Sequence, residues 1–234
     1  MPAATTEEEK NVGSTLTLAA SDGHKLSAYR ADPKGRPKGG LVVIQEIFGV
    51  NQHMREVCDG FAKDGYAALA PALFDRAERG VELGYTEGDI ARGRDLRAKL
   101  AWEDVLKDVA AAIKAVADAG KVGIVGYCWG GSVAWRAATQ LGGLACAVGY
   151  YGGQIAPFKD EKPKAPVMLH FGETDASIPL TDVEAIKKAQ PKVPIHVYPG
   201  AGHGFSCDQR GSYHAASAKL ARTRTMQFFV QYIG

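Results

Sequence analysis

Apolar positions between residues 41 and 198 gather into short uninterrupted runs: Leu41-Val42-Val43-Ile44, Tyr66-Ala67-Ala68-Leu69-Ala70, Val122-Gly123-Ile124-Val125, Ala145-Cys146-Ala147-Val148, Pro166-Val167-Met168-Leu169 and Ile195-His196-Val197-Tyr198. Such runs, without polar alternation, suit strands buried on both faces. Ahead of them, Ser14-Thr15-Leu16-Thr17-Leu18 and Lys25-Leu26-Ser27-Ala28-Tyr29 flank the turn-forming Ser21-Asp22-Gly23, which predicts a β-hairpin. Helix-like stretches, residues 52–63, 101–119, 132–140, 181–189 and 212–232, separate the later runs. The firmest is 101–119, where Val105, Val109, Ile113 and Val116 make one apolar stripe. Thr181-Asp182-Val183-Glu184 has the form of a capping box. Residues 75–99, rich in Arg, Glu and Gly, carry no strand period and read as a long loop or irregular helical excursion, a kind of segment that often borders active sites.

Alternating strands and helices predict an α/β fold of three layers, a mostly parallel sheet with an N-terminal hairpin and helices on both faces. At 234 residues, one domain over 14–234 is expected behind a mobile leader over 1–13. The 46% hydrophobic and 23% charged composition excludes a disordered chain. A net charge of +2 gives no reason to expect nucleic acid or an anionic membrane as partner. No signal-peptide pattern and no span-length apolar run are present. Four dispersed cysteines without a CxxC pair fit reduced thiols in a cytoplasmic protein. A small-molecule partner and a monomer are the default expectations.

Val122 to Gly131 runs from a buried strand through glycines into a helix, with Cys128 framed as Gly126-x-Cys128-x-Gly130. That is the form of a nucleophile elbow. A thiol at a helix N-terminus is favoured as thiolate, and the Trp129 N–H would face the oxygen of a tetrahedral intermediate. Ile47, after the strand ending near Gln45, is the candidate for the second donor. Asp175, in Phe171-Gly172-Glu173-Thr174-Asp175, and His203, in Gly200-Ala201-Gly202-His203-Gly204-Phe205, each follow a predicted strand. A free Cys is ordinarily a small buried hydrophobe, an Asp before a helix a cap, and a His in a glycine loop solvated. Their joint order, nucleophile then acid then histidine, favours the catalytic reading. The other histidines show no metal-ligand spacing, so neither metal nor cofactor is predicted.

These motifs, with Gln45-Glu46-Ile47-Phe48-Gly49-Val50-Asn51 and Tyr150-Tyr151-Gly152, make the chain similar to the dienelactone hydrolase family, carboxymethylenebutenolidases of the α/β-hydrolase fold. The resemblance implies a triad of Cys128, His203 and Asp175 acting on an ester or lactone, with Glu46 keeping the resting thiol protonated and able to remove its proton when substrate arrives. It also implies that Arg76 binds a substrate carboxylate. The family's second arginine position holds Cys207, and Gly204 stands where serine is frequent. Arg210 is either a replacement for that charge or a surface arginine. Phe48, Trp129, Tyr151 and Phe205 are candidates for the pocket wall or for core packing. Two other functions stay open: a broader small-acyl esterase or thioesterase, and a non-catalytic redox-sensing or binding protein.

Overall fold

The computed structural model describes residues 13–234; the expected leader up to residue 12 lies outside them. Gly13, assigned to that leader from sequence, donates its N–H to the Tyr29 hydroxyl at 3.0 Å. Among the described residues, eight strands form one sheet: β1 (Ser14–Ala19), β2 (Lys25–Ala31), β3 (Gly40–Ile44), β4 (Ala67–Pro71), β5 (Val122–Tyr127), β6 (Leu144–Tyr150), β7 (Val167–Gly172) and β8 (Ile195–Tyr198). Their order is β1-β2-β4-β3-β5-β6-β7-β8. β2 is antiparallel to both β1 and β4, and all pairs from β4 to β8 are parallel. Every residue of β3, β4 and β5 is buried, the physical counterpart of their unbroken apolar runs.

The helices are α1 (Gln52–Lys63), α2 (Glu87–Ala98), α3 (Trp102–Val116), α4 (Trp129–Gln140), α5 (Leu180–Ala189) and α6 (Ala215–Tyr232). α1 and α6 meet through the rings of Phe61 and Phe229, 5.8 Å apart. α3 turns its predicted stripe to the sheet, with Val105, Val109 and Val116 almost wholly enclosed. α4 begins three residues before the predicted boundary because the elbow glycines already belong to its first turn.

Two local expectations are corrected. The 181–184 capping box does not form: α5 starts at Leu180 behind Pro179 and has no side-chain cap, so Thr181 already lies inside the helix. The capping box occurs instead within residues 75–99, where the expected loop or irregular helical excursion contains a regular helix, α2. Thr86 caps α2, accepting from the Asp89 N–H at 3.2 Å while Asp89 accepts from the Thr86 N–H at 3.1 Å. α2 also rests directly on the loop after β3, since a Cβ at Gly93 would fall 2.1 Å from the Ile47 carbonyl oxygen. The carboxyl ends of β3, β5, β7 and β8 deliver the loops bearing Ile47, Cys128, Asp175 and His203 to one edge of the sheet, where ligands of open α/β sheets bind.

Candidate active site

Cys128 joins β5 to α4 with φ 56° and ψ −121°, a left-handed conformation that costs a non-glycine residue about 1–3 kcal/mol and survives only when its surroundings impose it. Its N–H donates to the Tyr150 carbonyl at 3.0 Å and its carbonyl accepts from the Gly131 N–H at 2.9 Å. The glycine frame is a steric requirement. A Cβ at Gly126 would lie 1.8 Å from the Gly130 carbonyl oxygen, and one at Gly130 would lie 2.5 Å from the carbonyl oxygens of both Ile44 and Gln45. The first turn of α4 therefore packs backbone to backbone on β3 and β5, and the thiol stands at its N-terminus.

Asp175 is buried in the loop after β7 and both of its oxygens are used. Oδ1 accepts from the Ser177 N–H at 2.8 Å and Oδ2 lies 2.7 Å from His203 Nδ1. The opposite ring nitrogen, Nε2, lies 3.1 Å from Cys128 Sγ. With Nδ1–H committed to the carboxylate, Nε2 is left to exchange a proton with sulfur. Burial disfavours charge on this imidazole, but charge on Cys128 outweighs it together with the hydrogen bonds to Asp175 and sulfur, pushing His203 up to about 10.

A cavity of about 390 Å³ opens over this pair, with Ile47, Phe48, Ile90 and Trp129 among its apolar walls and Arg94, Arg97 and Arg210 among its polar ones. Among the described residues no acceptor occupies the backbone N–H of Ile47 or Trp129, so two donors are free on residues that line the cavity with Cys128. The Phe74 ring stacks on Trp129 at 5.6 Å, and Gln45 accepts from the Leu73 N–H at 3.1 Å, so the segment after β4 ties the loop after β3 to the elbow. Arg97 donates to the Gln154 side chain and lies near the Trp102 ring. Among the described residues it has no carboxylate partner, and burial lowers its pKa. Arg210 pairs with Glu46 at 3.2 Å.

The structure thus brings together Cys128, His203, Asp175, Ile47, Trp129 and Phe48. Glu46 is buried and accepts a hydrogen bond from Arg210 Nη1 at 3.2 Å, with none to Cys128 among the described residues. Arg76 is not brought to the cavity, and its expected carboxylate-binding role is corrected: its fork is spent on Asp108, at 2.7 and 2.8 Å, and on Asp22 at 3.0 Å. Tyr151 and Phe205 are also absent from the wall. Both are fully buried behind the imidazole, Tyr151 bonded to Ser206 at 2.6 Å with its ring 5.2 Å from that of His203. Arg94 and Arg97 lie on α2, inside the segment expected as a long loop or irregular helical excursion, where Thr86 followed by Asp89 is the sequence signal for a regular helix; Gln154, after β6, stands in no motif.

Comparison with known proteins agrees with this architecture. The sequence model of the dienelactone hydrolase family matches residues 26–233. A Synechocystis protein provisionally named a carboxymethylenebutenolidase is 35% identical over 239 residues, spanning 94% of this chain and 97% of its own. The Pseudomonas putida carboxymethylenebutenolidase is 34% identical, spanning 91% of this chain and 94% of its own. A Klebsiella pneumoniae crystal structure provisionally named a dienelactone hydrolase superposes with a TM-score of 0.84 at 32% identity, covering 95% of this chain and 100% of that one. The chain belongs to the dienelactone hydrolase family and is a hydrolase built on the α/β-hydrolase fold.

Proposed function

We propose that this hydrolase uses Cys128 as nucleophile on small carboxylic esters or lactones that carry an acidic group. The observation that carries the reading is the aligned series Sγ–Nε2 at 3.1 Å and Nδ1–Oδ2 at 2.7 Å beside two unpartnered backbone N–H groups. With the thiol proton resting on His203, sulfur attacks the acyl carbon and the Ile47 and Trp129 N–H groups receive the oxyanion. Collapse expels the ester or ring oxygen, which His203 protonates, and leaves a thioester at Cys128. Water, deprotonated by the same imidazole, then releases the acid. Asp175 holds the tautomer that this requires and stabilises the imidazolium. Glu46 acts through Arg210, holding its guanidinium at the cavity wall.

The acidic group is inferred from Arg97, a half-buried guanidinium that lines the cavity without a countercharge. A substrate carboxylate would supply that charge, with Arg94 beside it. The decisive test compares kcat/KM for an ester bearing a free carboxylate with that for its neutral methyl ester, in wild type and Arg97→Met. A charge-assisted hydrogen bond contributes about 1.5–3 kcal/mol, so the preference for the anion should fall by roughly 10–150-fold. Equal rates on both substrates in wild type would instead favour a broader esterase, and full turnover by Cys128→Ala would remove Cys128 from the reaction.

A further inference from the structure

Among the described residues, Glu46 after β3, His53 in the first turn of α1 and Cys207 beyond the His203 loop converge. One carboxylate oxygen, one imidazole nitrogen and the sulfur all lie within 4.8 Å of one another, and all three residues are buried. Their separation in sequence, 46, 53 and 207, contains no ligand motif, which is why sequence reading predicts no metal. Two further observations point to a ligand. Asp208 Oδ1 lies 3.5 Å from His53 Nδ1, the kind of carboxylate–imidazole pairing that orients metal-binding histidines. A separate cavity of about 360 Å³ has His53, Ser206 and Asp208 in its wall and reaches the cluster at His53.

We propose that Glu46, His53 and Cys207 form a binding site for a divalent cation of the zinc class. The donor chemistry selects the cation: mixed oxygen, nitrogen and thiolate ligands suit Zn²⁺ or Co²⁺, whereas Mg²⁺ and Ca²⁺ demand oxygen alone. Cys207 gives its proton to solvent on binding, and a water completes the shell. Glu46 is also the partner of Arg210, so the cation competes with the guanidinium for one carboxylate. Occupancy thereby loosens Arg210 in the wall of the catalytic cavity. This regulatory consequence rests on the proposed hydrolase reading, whereas the binding itself does not.

Binding is tested by titrating Co²⁺ into the Cys128→Ala protein, where the catalytic thiol cannot contribute a signal. The expected result is a thiolate-to-cobalt charge-transfer band with four-coordinate d–d bands, saturating at one equivalent and displaced by Zn²⁺. Cys207→Ser should abolish the charge-transfer band, and His53→Gln should weaken affinity at least about tenfold. Asp208→Asn, at an exposed carboxylate, should weaken it roughly 10–100-fold and serves if either buried variant fails to fold by circular dichroism. Absence of the band in Cys128→Ala, or its persistence in a folded Cys207→Ser, overturns the site, as does unchanged affinity in Asp208→Asn where the buried variants do not fold. Ester turnover of wild type with and without Zn²⁺ then decides the coupling to catalysis separately.

Discussion

Gly126→Ala puts the elbow's geometry to a quantitative test. The new Cβ would sit 1.8 Å from the Gly130 carbonyl oxygen, and real Cβ contacts essentially never fall below 3.0 Å. The obstacle is backbone, so relief requires the end of β5 and the first turn of α4 to separate by roughly 1 Å, a displacement that typically costs about 10²-fold when it misplaces reacting groups. Cys128 stands between those elements, and its 3.1 Å contact with His203 would lengthen accordingly. Overpacking of this kind costs about 1–3 kcal/mol; at the upper end, the melting midpoint of a chain this size falls by roughly 6–12 °C. kcat/KM on an ester substrate should drop about 10²-fold, with the midpoint read by calorimetry. Gly60→Ala in α1 is the matched control. A Cβ there meets nothing within 4 Å, so it should gain about 0.5–1 kcal/mol in helix propensity and leave activity unchanged. A Gly126→Ala enzyme within about threefold of wild type in kcat/KM, with an unshifted midpoint, would refute the close-packed elbow.

The His203 imidazole, held up to about 10 from an ordinary 6.5, should remain protonated across neutral pH in an NMR titration of wild type. Cys128→Ser removes the sulfur charge and should bring the transition down; an unchanged titration would sink the thiolate–imidazolium pair. Because the folded value is raised, the imidazole's contribution to stability is complete below about pH 6.5 and is lost as pH rises through about 10. Arg76→Met should destabilise the fold by about 3–5 kcal/mol, since it strands the buried Asp108 carboxylate. Arg76→Met with Asp108→Leu should recover most of that loss in urea titrations, and neither variant should raise KM for an anionic ester. A raised KM without lost stability would return Arg76 to substrate binding.

Local pattern alone determined much of this protein. The apolar runs became strands, buried throughout in β3, β4, β5 and β7 but only half-buried in the edge strand β8; the 101–119 stripe became α3, and the Gly126-x-Cys128-x-Gly130 frame, Asp175 and His203 each followed the end of a strand, because strand and turn geometry depend on near neighbours in sequence. The strong similarity of the motifs around Gln45-Glu46-Ile47, Cys128 and Tyr150-Tyr151 to one family was legible in the same way. Only the tertiary structure decided which charges meet. Arg76 was committed to Asp108, 32 residues away, and Glu46 to Arg210, 164 residues away. α2 carried Arg94 and Arg97 to the cavity, and Glu46, His53 and Cys207 were gathered into one cluster. Long polar side chains can choose among many partners, and the choice is made by whichever carboxylate, cavity or cation the folded chain places within reach.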